Sequence, residues 1–248
     1  METEVTRINL LGVPIDVVPD DKLQAVIENL YELKVNRQIV LLNFHDFMKA
    51  RRSQERMAAL KQAALVIPVS SLLVSAARFL RKNVPPLRRG YAFIIKLLGI
   101  LEQRQRSVYL LGLDSEGVLA AESALRATFP GLRIVGRYST RFPNSRQTDI
   151  LTAIKKSSPT LLLTGKGLKG KHLWLYRNHK RLAGGLSIWE QNCFGVFSGR
   201  TGKPNDTSGA HLMKGFFGAL IKPWRLLRLF RYLYFFLLLL LTRLFGKR

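Results

Sequence analysis

Apolar and polar positions along this chain follow two alternating periods. Residues 8–18 (INLLGVPIDVV) read as a strand, a Gly-Pro turn and a second strand. Pro19-Asp20-Asp21 then opens a helix in which Leu23, Val26, Ile27, Leu30 and Tyr31 share one face. Further on, short apolar runs predict strands at Gln38–Asn43, Ala64–Pro68, Ser107–Gly112, Leu132–Gly136, Thr160–Thr164 and Ser187–Phe197. Between them, helical spacing covers Phe47–Leu60, Ser71–Leu80, residues 91–105, Ser115–Phe129, Gln147–Lys156 and Lys171–Leu182. Asp114 or Ser115 serves as N-cap of the fourth of these. Strands alternating with helices of about 10–15 residues predict an α/β fold, a Rossmann-like, mostly parallel sheet with helices on both faces.

The pattern breaks near the end. Lys222, Arg225, Arg228 and Arg231 recur every third residue with leucine and aromatic residues between them, and Tyr232–Leu241 (YLYFFLLLLL) is wholly apolar. As a helix those ten apolar residues would span about 15 Å, half a bilayer core. We therefore expect an α/β domain over 1–205 and a basic, membrane-contacting helical appendage over 206–248. A helix lying in the membrane interface accounts for both the arginines and the leucines. Two other readings are a core helix and a spanning helix over Leu226–Phe245 with Arg228 and Arg231 snorkelling.

Charge sharpens this expectation. The 248 residues carry 40 Lys+Arg against 16 Asp+Glu, a formal +24, and two-thirds of that excess lies after residue 150, where Glu190 and Asp206 are the only acids. Such a field calls for an anionic partner. Leucines beside the densest arginines point to lipid and not to nucleic acid. The apolar share of 47% excludes disorder for most of the chain. One cysteine, Cys193, excludes a disulfide framework and a cysteine-built zinc site, and four histidines leave few metal ligands, so no metal or cofactor is expected. The N-terminus is acidic and polar where a secretory signal would be basic and then apolar, so the chain is expected on the cytoplasmic face of the membrane.

Two loops stand where a phosphate could bind. Gly112-Leu-Asp-Ser-Glu-Gly117 follows a strand and opens a helix, although Asp114 and Glu116 would repel an anion, and an ordinary strand-to-helix turn explains it as well. Gly165-Lys-Gly-Leu-Lys-Gly170-Lys occupies a similar place and is either an anion cradle built around Lys166 and Lys169 or a bare basic loop.

Taken in order, these motifs resemble a known family. Leu11-Gly-Val-Pro-Ile-Asp16, Asn43 at a strand end, Val108-Tyr-Leu-Leu-Gly112, Phe129-Pro-Gly-Leu-Arg-Ile-Val-Gly136 and Phe194-Gly-Val-Phe-Ser-Gly-Arg200 are similar to motifs of the WecG/TagA/CpsF-like N-acetylmannosaminyltransferases (glycosyltransferase family 26) of teichoic-acid and enterobacterial-common-antigen synthesis. The resemblance spans roughly residues 8–232. It implies transfer of an N-acetylmannosamine-type sugar from a UDP donor to an undecaprenyl-diphosphate-linked acceptor at a membrane. It also implies that Asn43, Gly112, Gly117, Lys166 and Lys169 contact the donor, and that Arg225, Arg228 and Arg231 contact the lipid diphosphate or headgroups.

Several polar positions of the family are apolar or small here. The expected catalytic carboxylate falls on Val69, in Ile67-Pro68-Val69-Ser70, and a threonine falls on Leu41. A Gly-x-Asp appears as Gly90-Tyr91-Ala92, a Pro-Lys-Gln-Glu loop as Gly167-Leu168-Lys169-Gly170, and a Phe-Asp pair as Phe194-Gly195. Glycosyl transfer needs a base near the acceptor hydroxyl. His45 and Asp46, just after Asn43, are candidates, with a solvated turn capped by Asp46 as the plainer reading. Two functions follow: a divergent glycosyltransferase, or a non-catalytic relative that scaffolds a glycan-assembly complex. A homo-oligomer held by the tail is also open.

Overall fold

The computed structural model describes residues 5–31, 35–182, 184–202 and 223–245, with the side chains of 223–229 left out. The chain begins with a hairpin, β1 (Thr6–Leu10) and β2 (Val13–Val17), paired antiparallel. Its two-residue turn is Leu11-Gly12, both at positive φ (49° and 91°), and Asn9 Oδ1 accepts from the Gly12 amide at 2.7 Å. The expected Gly-Pro turn is thus shifted, and Pro14 lies inside β2. Positive φ at both turn positions matches the twist of the flanking strands.

Helix α1 (Leu23–Tyr31) leads to β3 (Asn36–Leu42), α2 (Phe44–Ala50), α3 (Gln54–Gln62) and β4 (Leu65–Pro68). Next come α4 (Ser71–Phe79), α5 (Gly90–Gln103), β5 (Ser107–Leu111), α6 (Ser115–Thr128) and β6 (Arg133–Tyr138). The last part holds α7 (Gln147–Ser157), β7 (Leu161–Thr164), α8 (His172–Asn178), β8 (Gly185–Trp189), α9 (Cys193–Phe197) and α10 (Pro223–Phe245). Six of the strands form one parallel sheet in the order β4-β3-β8-β7-β5-β6.

Three elements differ from the sequence expectation. The single helix over Phe47–Leu60 is two, because Ser53 Oγ caps the Arg56 amide and starts a new helix. The last strand ends at Trp189 and not at Phe197, since Glu190 captures the next amides and turns the chain into α9. The helix expected over Lys171–Leu182 is α helical only to Asn178 and closes as a 3-10 turn over His179–Arg181.

Alternating strand residues feed two faces. Ile39, Leu41, Leu65, Ile67, Val108, Leu110, Leu161, Leu163, Leu186 and Ile188 pack against α1, α5 and α6. On the opposite face, Val40, Leu42 and Val66 meet the hairpin, α2, α4 and α10, while Tyr109, Leu111 and Leu162 meet α7 and α8. Helices therefore cover both faces, as a parallel sheet requires. The hairpin is fixed to the sheet by one carboxylate. Asp16, 2% exposed, accepts from the Val66 amide at 2.6 Å and pairs through both oxygens with Arg7, whose guanidinium also reaches the Ala63 carbonyl. Asp16 stands in for the strand that edge strand β4 lacks.

Helix α10 lies along the α2/α4 side. Phe235 and Leu239 are buried in that core, and the Tyr232 ring stacks on Phe44 at 4.9 Å. Its distal end is held by Arg243, which donates to the Phe79 carbonyl and lies over the Phe79 ring. No helix among the described residues is long and apolar enough to cross a membrane. The expected boundary at 205/206 falls outside the described residues.

Candidate active site at the carboxyl ends of the strands

Ligands of open parallel sheets bind beyond the strand carboxyl ends, where connections leave in opposite directions. Here β5 leads outward to β6 while β7 leads the other way to β8, so one such place is at the ends of β5 and β7. A second place is the edge where β3 and β8 end side by side, with β3 leading outward to β4. The sequence candidates distribute over these two places.

Asn43 is the N-cap of α2. Its Oδ1 accepts from the Asp46 amide at 2.9 Å, and its Nδ2 donates to Asp46 Oδ2 at 2.7 Å. Asp46 is buried by these two bonds, so the plainer reading of a solvated turn capped by Asp46 is corrected: Asn43 is the cap, and Asp46 lies beneath it. His45 stays exposed, and its Nδ1 accepts from Arg231 Nη1 at 2.6 Å. Partial burial first, then the cations Lys49 and Arg231, lower the His45 pKa below the usual imidazole value. The structure thus brings together one catalytic candidate and one lipid-site candidate that lie far apart in sequence. The side chains of Arg225 and Arg228 lie outside the described residues, on the part of α10 that precedes Arg231.

Gly112 and Gly165 directly follow β5 and β7, and a Cβ on them would fall 2.6 Å and 2.2 Å, respectively, from the Phe194 ring. Phe194, fully buried, fills the space that two strand-end glycines leave open. Gly117 lies in the first turn of α6, where its amide donates to Asp114 Oδ1 at 2.9 Å. Arg200 clasps the same carboxylate at 2.8 and 2.9 Å. Those hydrogen bonds, Arg200 first and the Gly117 amide second, hold the Asp114 pKa down at about 2. The N-terminus of α6 therefore already carries its own anion.

Lys166 and Lys169 are exposed on the loop between β7 and α8. Beneath them the backbone is fixed: Thr140 Oγ1 donates to the carbonyls of Leu113 and Lys166, and Leu168 is buried. Gly167 sits at φ +101°, a region that favours glycine. Lys171, at φ 55°, places its ammonium 5.0 Å above the Trp189 ring.

Two residues that sequence reasoning did not single out belong to this edge. His172 opens α8 and is 5% exposed, and burial lowers its pKa against the opposing pull of Asp46. Glu190 follows β8 and is 8% exposed. Its only sequence signal is its rarity, one of two acids after residue 150.

A parallel α/β sheet with helices on both faces and a basic helix laid beside its carboxyl edge defines a Rossmann-like α/β protein. The chain belongs to the glycosyl transferase WecG/TagA/CpsF family, whose model matches residues 8–248. It is similar to the N-acetylglucosaminyldiphosphoundecaprenol N-acetyl-beta-D-mannosaminyltransferase of Bacillus subtilis (strain 168), 19% identical over 192 residues, 77% of this chain and 74% of that protein. A protein of the same name from Staphylococcus aureus (strain NCTC 8325 / PS 47) is 20% identical over 202 residues, 79% of this chain and 78% of its own length.

Proposed function

We propose that this protein is a peripheral membrane glycosyltransferase on the cytoplasmic face. It moves an N-acetylmannosamine-type sugar from a UDP donor to a polyprenyl-diphosphate-linked acceptor in cell-envelope polysaccharide synthesis. One observation carries the reading: α10 is docked on one face only. Phe235 and Leu239 point into the core, whereas Leu233 (65% exposed), Leu237, Leu240, Leu244 (73%) and Phe245 (78%) face outward. An exposed apolar face of this size marks a partner surface, and arginines precede it in sequence toward the strand ends. A bilayer covers the leucines while the diphosphate of a lipid-linked acceptor meets Arg231 and its sequence neighbours Arg225 and Arg228. In this reading Asn43, Gly112, Gly117, Lys166 and Lys169 line the donor side.

The test is a transfer assay with UDP-N-acetylmannosamine and a lipid-linked N-acetylglucosamine diphosphate, combined with flotation on anionic vesicles. Transfer of label to the lipid, with the protein floating, is the expected result. Absence of transfer and of heat on titrating UDP-sugars sinks the reading.

A second reading is a non-catalytic relative that scaffolds a glycan-assembly complex. Specific observations favour it: Leu41 and Phe194 are buried, Val69 packs against the same core, and Leu168 is buried beneath its loop. It predicts vesicle binding without transfer.

A further inference from the structure

Two of the positions where this chain departs from its family's polar pattern, Leu41 and Val69, share one side of the sheet. Leu41 of β3 and Val69 after β4 belong to the core cluster that faces α5, together with Tyr91 from the first turn of that helix. Neither an alkyl side chain nor Ala92 can accept a proton. Glu190 reaches the same side. It lies two residues beyond Ile188, whose side chain is in that cluster, and Ile188 sits beside Ile39 of β3. Side chains two apart on a strand point the same way. The Glu190 amide still donates to the Thr164 carbonyl at 3.0 Å, so the residue sits at the very end of the ladder, in the centre of the sheet.

Its carboxylate is held by backbone amides. Oε2 accepts from the amides of Asn192 and Cys193 at 2.7 and 2.5 Å. Oε1 faces Gly90, the first residue of α5, where a Cβ would stand 3.0 Å from it. The other buried acids have side-chain partners: Asp16 pairs with Arg7, Glu122 with Arg126 and Arg137, and Asp46 accepts from Asn43. Glu190 has no cation partner among the described residues, in a chain with 40 basic residues. A carboxylate held only by backbone amides keeps lone pairs free to take a proton. The Cys193 thiol beside it is inert by comparison, its pKa raised first by burial and then by the Glu190 charge.

We propose that Glu190 is the catalytic base at the carboxyl ends of β3 and β8, in place of the carboxylate that Val69 lacks. This rests on the glycosyltransferase reading above. The acceptor hydroxyl gives its proton to Glu190 as its oxygen bonds to the sugar C1. The C1–O bond to the donor phosphate breaks on the opposite side, and UDP leaves with that electron pair. The anomeric centre is inverted, and the proton returns to water from Glu190. Gly90 is small because the carboxylate occupies its side-chain space.

Three proteins test this in the transfer assay with UDP-N-acetylmannosamine and lipid-linked N-acetylglucosamine diphosphate: the full-length wild type, Glu190→Gln and Glu190→Asp. Gln keeps an oxygen for the two amides, so its melting temperature should stay close to wild type. Its kcat should fall by about 10²–10⁴-fold while UDP affinity, read by calorimetry, changes less than about threefold. Asp, which keeps the charge on a shorter arm, should lie between the two. A merely structural Glu190 would leave Gln as active as wild type or more active than Asp, and either result overturns the proposal. A wild type that binds vesicles but transfers no sugar overturns the glycosyltransferase reading first, and this proposal with it.

Discussion

Arg231 donates from Nη1 to Nδ1 of His45 at 2.6 Å, joining the C-terminal helix to the first turn of α2 at the carboxyl edge of the sheet. The bond needs a neutral imidazole, because a protonated Nδ1 has no lone pair to accept with. Tyr232, the next residue, stacks on Phe44, the residue before His45, so the polar and aromatic contacts dock the helix as one unit.

That contact makes docking pH-dependent. Burial, Lys49 and Arg231 lower the His45 pKa in the docked state, and Asp46 opposes them only in part. Undocking returns the pKa toward about 6.5. The undocked state therefore binds more protons, so stability rises with pH. The contribution is complete above about 6.5 and declines as pH falls below it toward the lowered value. Melting curves of wild type and His45→Gln, whose amide accepts a hydrogen bond without titrating, should diverge as pH falls below about 6.5. Parallel pH dependences would show that the imidazole does not couple to docking.

The two faces of α10 should answer differently to substitution. Replacing Leu237 and Leu240 with serine removes outward leucines, and each lost side chain weakens vesicle binding by about 1.5–3 kcal/mol where it is fully inserted. Flotation should fall steeply while the melting temperature is unchanged. Phe235→Ala, by contrast, opens a cavity against Phe44 and Phe47. It should cost about 3–5 kcal/mol of docking stability, read by urea denaturation.

Gly165→Ala forces a Cβ to within 2.2 Å of Phe194, deeper than the 2.6 Å of Gly112→Ala. Overpacking of this kind costs about 1–3 kcal/mol, with Gly165→Ala the worse of the two. Pairing Gly165→Ala with Phe194→Leu should recover part of the loss. Strict additivity of the two substitutions in thermal melts would mean that the contact is not the cause.

Asp16 should prove structural. Asp16→Ala leaves the Val66 amide and Arg7 Nε without these partners. The expected loss is about 2–4 kcal/mol, measured by denaturant unfolding, with UDP-sugar affinity retained in the folded fraction.

Much of the fold was legible because short strands and amphipathic helices are written in local periods. The six parallel strands fell at the apolar runs within a few residues, and α1, α5, α6 and α7 lay where helical spacing put them. The errors sit where one polar side chain outweighs the period. Ser53 splits a helix, and Glu190 ends a strand by binding two amides that would otherwise extend it. The candidate site was less legible. Asn43 and Gly112 were visible from their strand ends, but their partners Asp46 and Phe194 could be assigned only once the chain had folded.

The sequence by itself determined the parallel α/β class, the family, and an unusual apolar, arginine-bearing end, because composition and period are properties of neighbouring residues. Only the tertiary structure decided that β8 lies between β3 and β7, and that Phe194 fills the space above two glycines. The folded chain also fixes which stripe of α10 is buried and sets Glu190 beside Gly90 on the side that holds Leu41 and Val69. Each of these is a contact between residues distant in sequence. Strand order and side-chain neighbours are set by packing across the sheet, which local period does not encode.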